Sequence, residues 1–160
     1  MLPPSEPARR EIVLPDIHAT ERLASAVAGL ARPGDAIALI GDLGAGKTTF
    51  ARFFLAARGV RGDVPSPTFT LVQVYAAAAC EVWHFDLYRL NAPGEAIELG
   101  IEEAFATAIS LIEWPDRLGP LLPPDRLAIA FGFGGTADAR HATLEGFGAW
   151  RARLAAVAAP

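Results

Sequence analysis

The stretch Gly41-Asp42-Leu43-Gly44-Ala45-Gly46-Lys47-Thr48 decides the fold of this 160-residue chain. It matches the pattern G-x-x-x-x-G-K-[ST], which is typical of loops that bind nucleotide phosphates. Its glycines let the backbone curl so that successive N–H groups point at phosphate oxygens. Lys47 would supply a charge for the β- and γ-phosphates, and Thr48 a hydroxyl for Mg²⁺. The residues predicted to bind the nucleotide here are Asp42, Leu43, Gly44, Ala45, Gly46, Lys47, Thr48 and Thr49.

The sequence on both sides of this loop supports the match. Residues 36–40 are a short apolar run, typical of a buried central strand. A helical pattern follows from Gly46 to about Arg58, with Gly59 as its expected end. The N-terminus of such a helix adds free N–H groups and a positive dipole end for phosphate. Lys47 is also the one lysine among the 14 Lys and Arg residues, and it stands where the motif requires an ammonium group.

The rest of the chain predicts one α/β domain. Strands and helices alternate at first, and strands then follow one another directly. This order predicts a single three-layer domain of the P-loop NTPase type, with a mixed, largely parallel sheet. Residues 1–10 are rich in proline and charge and are predicted to be a flexible tail, leaving 11–160 as the domain. The predicted strands cover residues 11–14, 36–40, 69–75, 80–86, 109–112, 127–133 and 142–147, and the predicted helices cover 20–31, 46–58, 93–108 and 150–157.

Composition excludes several classes of protein. A hydrophobic fraction of 52% against 20% charged residues excludes a disordered chain. The sequence has no apolar run of the length that a transmembrane helix needs and no secretory signal at its start, and it has one cysteine. These features predict a cytoplasmic protein without a membrane role. The net charge of −4 and the lack of a basic stripe argue against direct binding to nucleic acid.

Two carboxylates are candidates for the catalytic and metal-binding groups that a phosphate loop needs. Asp86 and Glu113 each end a predicted strand, and acidic side chains there can hold Mg²⁺ or activate water. The sequence leaves open which of them takes which role. Thr48, Asp86 and Glu113 are therefore the predicted metal-binding set. Thr68 could sense the γ-phosphate as switch loops do, or could equally form an ordinary turn.

Trp114 and His84 lie beside these carboxylates in the sequence. Trp114 directly follows Glu113 and could stack on a nucleobase, although packing in the core or at its rim is the more common role. His84 alternates with apolar residues on a strand, which predicts a histidine satisfied within the core or at its rim. The three histidines and one cysteine lack the spacing of a zinc site.

Four segments in this order closely resemble the TsaE family, also called YjeE. These are small bacterial ATPases needed to make threonylcarbamoyladenosine next to the tRNA anticodon. One glycine-rich loop is shared by many proteins, but the ordered set is specific. The resemblance covers roughly residues 11–150. The four segments that carry it are GDLGAGKTTF at 41–50, SPTFTLV at 66–72, HFDLYRL at 84–90 and IEWP at 112–115.

The resemblance implies an ATPase that binds ATP and Mg²⁺, with Thr48 at the metal. It implies that Asp86 and Glu113 support metal binding and hydrolysis, that Trp114 lies at the adenine, and that residues 66–68 form a switch-like segment. It further implies two partners, TsaB and TsaD. TsaD transfers the threonylcarbamoyl group, so this chain is not expected to be the transferase and should meet tRNA only indirectly.

Three other functions remain to be weighed against this resemblance. A small-molecule P-loop kinase needs an acceptor pocket and usually an arginine-bearing lid, and no Arg-rich insert is present. A GTPase reads guanine with an Asn/Thr-Lys-x-Asp motif, but Lys47 is the sole lysine. A nucleotide-sensing adaptor would differ from an ATPase only in turnover. The kinase is the main alternative.

Overall fold

The computed structural model describes residues 6–157, and within this range the chain forms one sheet with helices on both faces. The strands are β1 Ala8–Leu14, β2 Ala36–Ile40, β3 Val72–Tyr75, β4 Val82–Asp86, β5 Ile109–Glu113, β6 Leu127–Phe133 and β7 Arg140–Gly146. The helices are α1 Ile17–Leu30, α2 Lys47–Ala57, α3 Gly94–Glu98, α4 Ile101–Thr107 and α5 Trp150–Leu154, with a 3₁₀ segment at Pro115–Leu121.

The strand order is β1-β7-β6-β2-β5-β4-β3. The four central strands β6, β2, β5 and β4 pair in parallel, whereas β3, β7 and β1 join antiparallel at the two sides. Parallel neighbours need a crossover, while β3–β4 and β6–β7 are successive strands that pair directly. The predicted α/β domain with a mixed sheet is confirmed. Because β2 is a central strand, the loop that follows it lies in the middle of the edge formed by the carboxyl ends of the parallel strands.

Two apolar cores lie on opposite faces of the sheet and give the molecule three layers. The larger core holds Leu23, Val27, Phe50 and Phe54 of helices α1 and α2, together with strand residues. The smaller core packs α3, α4 and the 3₁₀ segment against the other face. Alternation along a strand decides which core each side chain enters. None of the helices within residues 6–157 reaches the length and hydrophobicity that crossing a bilayer requires.

The N-terminal boundary differs from the prediction. Strand β1 begins at Ala8, which pairs with Gly146 of β7, so the predicted tail over residues 1–10 is wrong for residues 8–10. Charged side chains are tolerated there because β1 is an edge strand whose alternate positions face solvent. Residues 1–5 lie outside the described residues.

The strand predicted over 69–75 is also shorter than expected. Leu71 has a φ of 66°, which is left-handed and stops an extended strand. Its N–H donates to the Pro67 carbonyl and closes a turn. Strand β3 therefore starts only at Val72, and residues 66–71 become a loop beside the end of β4. The closing helix predicted over 150–157 ends at Leu154.

Candidate functional site

The glycine-rich loop, residues 41–46, joins the central strand β2 to helix α2. Gly44 and Gly46 have φ values of 79° and 121°, which favour glycine. A Cβ at Gly41 would lie 2.8 Å from the Phe131 carbonyl oxygen, so a larger residue there would displace the loop. The loop residues Asp42, Leu43 and Gly44 are exposed, while Ala45 is buried against the fold. The result is an open, curled backbone ahead of a helix N-terminus.

Lys47 lies at the base of this loop and is only 5% exposed. Its Nζ donates to the carbonyl oxygens of Gly41 and, at 3.4 Å, of Asp42. Burial lowers the pKa of Lys47 below its usual value, and the carboxylates of Glu113, Asp86 and Asp42 oppose this shift. A partly desolvated ammonium held by loop carbonyls is well placed to exchange these contacts for an anion.

Glu113 ends β5, next to the end of β2, and faces the first turn of α2. The Thr48 hydroxyl lies 3.0 and 3.1 Å from its two carboxylate oxygens and donates to them. Parallel pairing sets this proximity, because Glu113 is in register with Leu39, just before the loop. Glu113 is 3% exposed, and its Oε2 also lies 2.7 Å from His84 Nε2. The predicted Thr48 and Glu113 are therefore brought together.

Asp86 lies beside Glu113 in the sheet register but has different contacts. Thr68 Oγ1 donates to Asp86 Oδ2 at 3.0 Å, and the Tyr88 N–H donates to Oδ1 at 3.1 Å. The Ser66 hydroxyl lies 2.8 Å from Thr68 Oγ1, and it donates there because the Thr68 proton is given to Asp86. The two carboxylates therefore have different partners. Glu113 contacts Thr48, and Asp86 contacts the 66–68 loop.

Trp114 lies over the ammonium of Lys47, with Nζ 4.1 Å from the ring centroid. Its other ring contact is Tyr88, whose centroid is 5.0 Å away. Trp114 has a φ of 59° and, with Leu71, is one of two non-glycine residues with positive φ among residues 6–157. Backbone strain of this kind concentrates at functional sites, because the surrounding structure must hold it. Both strained residues here flank the two carboxylates.

These side chains line one cleft, and a second depression lies on the other side of the loop. The cleft is lined by Leu43, Gly44, Gly46, Lys47, Thr48, Thr49, Ser66, Thr68, Asp86, Glu113 and Trp114. The second depression is lined by Ile17, Thr20, Gly44, Gly46, Thr49, Asp138 and Arg140. Arg140 Nη2 donates to the Gly44 carbonyl at 3.2 Å and so links the β6–β7 end of the sheet to the loop.

Several residues that line or support these two depressions are not predicted from the sequence. Ile17, Thr20 and Asp138 belong to no motif, and only the fold brings them to the loop. The sequence predicts a satisfied core or rim histidine at position 84. The side chain is buried, yet its one hydrogen bond to residues 6–157 goes to a site carboxylate. The available signal was its place two residues before Asp86 on an otherwise apolar strand. Within residues 6–157, no group of three or more His, Cys, Asp or Glu side chains could hold a metal by itself.

Comparison with known proteins identifies the family of this chain. A family model described as "Threonylcarbamoyl adenosine biosynthesis protein TsaE" matches residues 14–141. The chain belongs to the TsaE family. It is 38% identical over 130 residues to the tRNA threonylcarbamoyladenosine biosynthesis protein TsaE of Bacillus subtilis, covering 81% of this chain and 80% of that protein. The Rickettsia felis protein of the same name is 40% identical over 119 residues, covering 74% and 70%.

The fold of a solved structure matches this one over nearly the whole chain. The crystal structure of YdiB from Bacillus subtilis superposes with a TM-score of 0.82 at 29% identity, covering 96% of each chain. The glycine-rich loop, Asp86, Glu113 and Trp114 all lie inside the range matched by the TsaE family model.

Proposed function

We propose that this TsaE-family protein binds ATP with Mg²⁺ and hydrolyses it slowly, in support of the threonylcarbamoyladenosine modification of tRNA. The contact between Thr48 and Glu113 at the mouth of the loop carries the proposal. A hydroxyl that donates to a carboxylate keeps its lone pairs free for a cation. The buried Lys47 beside it favours phosphate. Membership of the TsaE family argues against the small-molecule kinase alternative.

The donor set fits Mg²⁺. This ion prefers oxygen ligands and is usually held by one or two carboxylates together with phosphates and waters. The hydroxyl of Thr48 and the carboxylate of Glu113 would hold it, with Asp86 close by on the same sheet edge. When bound, Mg²⁺ supplies positive charge that neutralises the β- and γ-phosphate oxygens.

Each group of the chain then has a separate task in hydrolysis. Lys47 and the loop N–H groups bind and orient the phosphates. Asp86 accepts a hydrogen bond from Thr68, and it would orient the attacking water beside the terminal phosphate. The water oxygen bonds to the γ-phosphorus, the bond to the bridging oxygen breaks, and ADP and phosphate leave. Glu113 keeps Thr48 in place throughout.

The same geometry supports a direction for the nucleotide. In this motif the lysine reaches the β- and γ-phosphates, and Trp114 lies against that lysine. We therefore assign Trp114 to the terminal-phosphate end, in place of the adenine contact implied by the family resemblance. The base would lie in the second depression, against Ile17, Thr49 and Arg140.

The proposed partners are the TsaB and TsaD family proteins, with tRNA met only through them and the cytoplasm as the place of action. The 66–68 loop supports this part of the proposal. It contacts Asp86 through Thr68, while Phe69 next to it is 80% exposed. Loss of the γ-phosphate would change the surroundings of Asp86 and so the position of this exposed loop.

The test of this proposal is ATP turnover in two isosteric variants. Glu113→Gln and Asp86→Asn keep the shape of the side chains but remove their charge. We expect each to lower kcat at least tenfold, measured as phosphate release with and without the partners, with a smaller loss of ATP affinity. Arg61→Gln, on an exposed loop, is the control and should leave both constants unchanged. A large loss of ATP affinity with an unchanged kcat would contradict the assigned roles.

A further inference from the structure

His84 is a fully buried polar residue, and its one side-chain hydrogen bond within residues 6–157 goes to Glu113. It lies in β4 between Trp83 and Phe85 and is 0% exposed. Its Nε2 is 2.7 Å from Glu113 Oε2, while its Nδ1 has no hydrogen-bond partner among residues 6–157. Burial of this imidazole together with a carboxylate removes both from water, which costs free energy that an apolar side chain would avoid.

Strand alternation places this pair under the nucleotide loop. Val82 and Leu111 enter the core on the α2 face of the sheet. Because side chains two apart share a face, His84, Asp86 and Glu113 lie on that same face. Thr48 stands above them at the start of α2. The Glu113 carboxylate is therefore contacted by Thr48 from helix α2 and by His84 from the neighbouring strand β4.

The hydrogen-bond pattern defines what His84 does to this carboxylate. Nδ1 has no acceptor, so the tautomer that leaves no buried N–H unpaired carries its proton on Nε2. The Nε2–H then donates to Glu113 Oε2. Oε2 is therefore contacted by both His84 and the Thr48 hydroxyl, whereas Oε1 is contacted by the Thr48 hydroxyl and not by His84.

We propose that His84 is a positioning residue that holds the Glu113 carboxylate in the orientation needed to support the metal with Thr48. The inference rests on the proposed function and deepens it, since it assigns a role to a residue that contacts one of the proposed metal-binding residues. Groups that orient a metal ligand from behind typically change metal affinity or activity by about 10- to 100-fold when removed. His84 needs no contact with the nucleotide for this role.

A matched pair of amide variants tests the proposal. The amide nitrogen of His84→Gln can reach the position of Nε2, whereas that of His84→Asn is one methylene short. We expect His84→Asn to raise the Mg²⁺ concentration for half-maximal ATP hydrolysis about tenfold or more. In wild type, Mg²⁺ should raise the affinity of the protein for a fluorescent ADP analogue, and His84→Asn should lose most of this increase. His84→Gln should stay within about threefold of wild type in both. Binding of the same analogue in EDTA should change little in either variant.

Control variants separate positioning from general damage to the core. Ser110→Ala removes another fully buried polar group, on neighbouring β5, whose hydroxyl has no partner among residues 6–157, and it should leave the Mg²⁺ requirement unchanged. Should the Asn variant not fold, His84→Leu fills the site with an apolar side chain and takes its place.

Two results would overturn the proposal. One is an Asn or Leu variant with the Mg²⁺ requirement of wild type. The other is an equal loss in the Gln and Asn variants, in step with their melting temperatures, which would mean a packing role only. A wild-type protein without Mg²⁺-dependent nucleotide binding would instead refute the proposed function itself, so the two failures are distinguishable.

Discussion

At the scale of single residues, the site is a set of short contacts around two carboxylates with different neighbours. Glu113 is bonded to Thr48, and Asp86 to Thr68. The sequence predicts both as site residues but leaves their roles open, because two strand-terminal carboxylates look alike until their partners in the fold are known. The structure separates them through their partners. Trp114 shows a further limit of sequence reasoning, since only the fold places its ring on Lys47.

Trp114 gives a prediction about the direction of the nucleotide. Because its ring lies 4.1 Å from Lys47 Nζ, inorganic triphosphate with Mg²⁺ should change Trp114 fluorescence, and adenosine alone should not. The measurement is emission on titration of wild type and of Trp114→Phe, which leaves Trp83 and Trp150 as the background signal. A Trp114-dependent change with adenosine, and none with triphosphate, would restore the adenine contact and contradict the direction proposed above.

At the scale of elements, helix α2 connects the core to the site. Phe50 is fully buried and lies 5.6 Å from the ring of Phe131 and 6.3 Å from that of Phe54. These contacts anchor the same helix turn whose start carries Lys47 and Thr48. Packing on this helix therefore determines where Lys47 and Thr48 stand relative to Glu113.

Removal of the Phe50 ring should destabilise the fold. Phe50→Ala leaves a cavity in the core and should lower the free energy of unfolding by about 3–5 kcal/mol. Denaturant unfolding measures this loss. Phe69→Ala is the matched control, since Phe69 is 80% exposed and its loss should change stability by less than about 0.5 kcal/mol. Equal effects of the two substitutions would contradict the assigned core.

Elements with a strong periodic or motif signal were predictable, and elements that depend on distant partners were not. Strand β2 and helix α2 follow from an apolar run, a glycine loop and a helical pattern. The start of β1 at Ala8 depends on β7, which lies more than a hundred residues away. The late start of β3 depends on the left-handed backbone conformation of Leu71. A leucine at this position gives no reason to expect that conformation.

At the scale of the whole molecule, the part of the chain that the structure describes holds the candidate site in one cleft, and the sequence is acidic. Its net charge is −4, with 14 basic residues against 18 acidic ones. Binding to a tRNA backbone releases counterions only where basic residues neutralise phosphates. If the cleft binds ATP as proposed, the chain would act on a larger assembly through its nucleotide state. The proposed partners would then supply the surface that meets tRNA.

The most direct test of this account is tRNA modification in a reconstituted system. The measured quantity is threonylcarbamoyladenosine formed over many turnovers by the TsaB and TsaD family partners, with this chain present, absent, or carrying Lys47→Ala. Lys47→Ala removes charge-assisted phosphate contacts of about 1.5–3 kcal/mol each, and circular dichroism checks that the variant is folded. We expect sustained modification only with the wild-type chain. Equal multiple turnover without the chain, or with Lys47→Ala, would contradict the account.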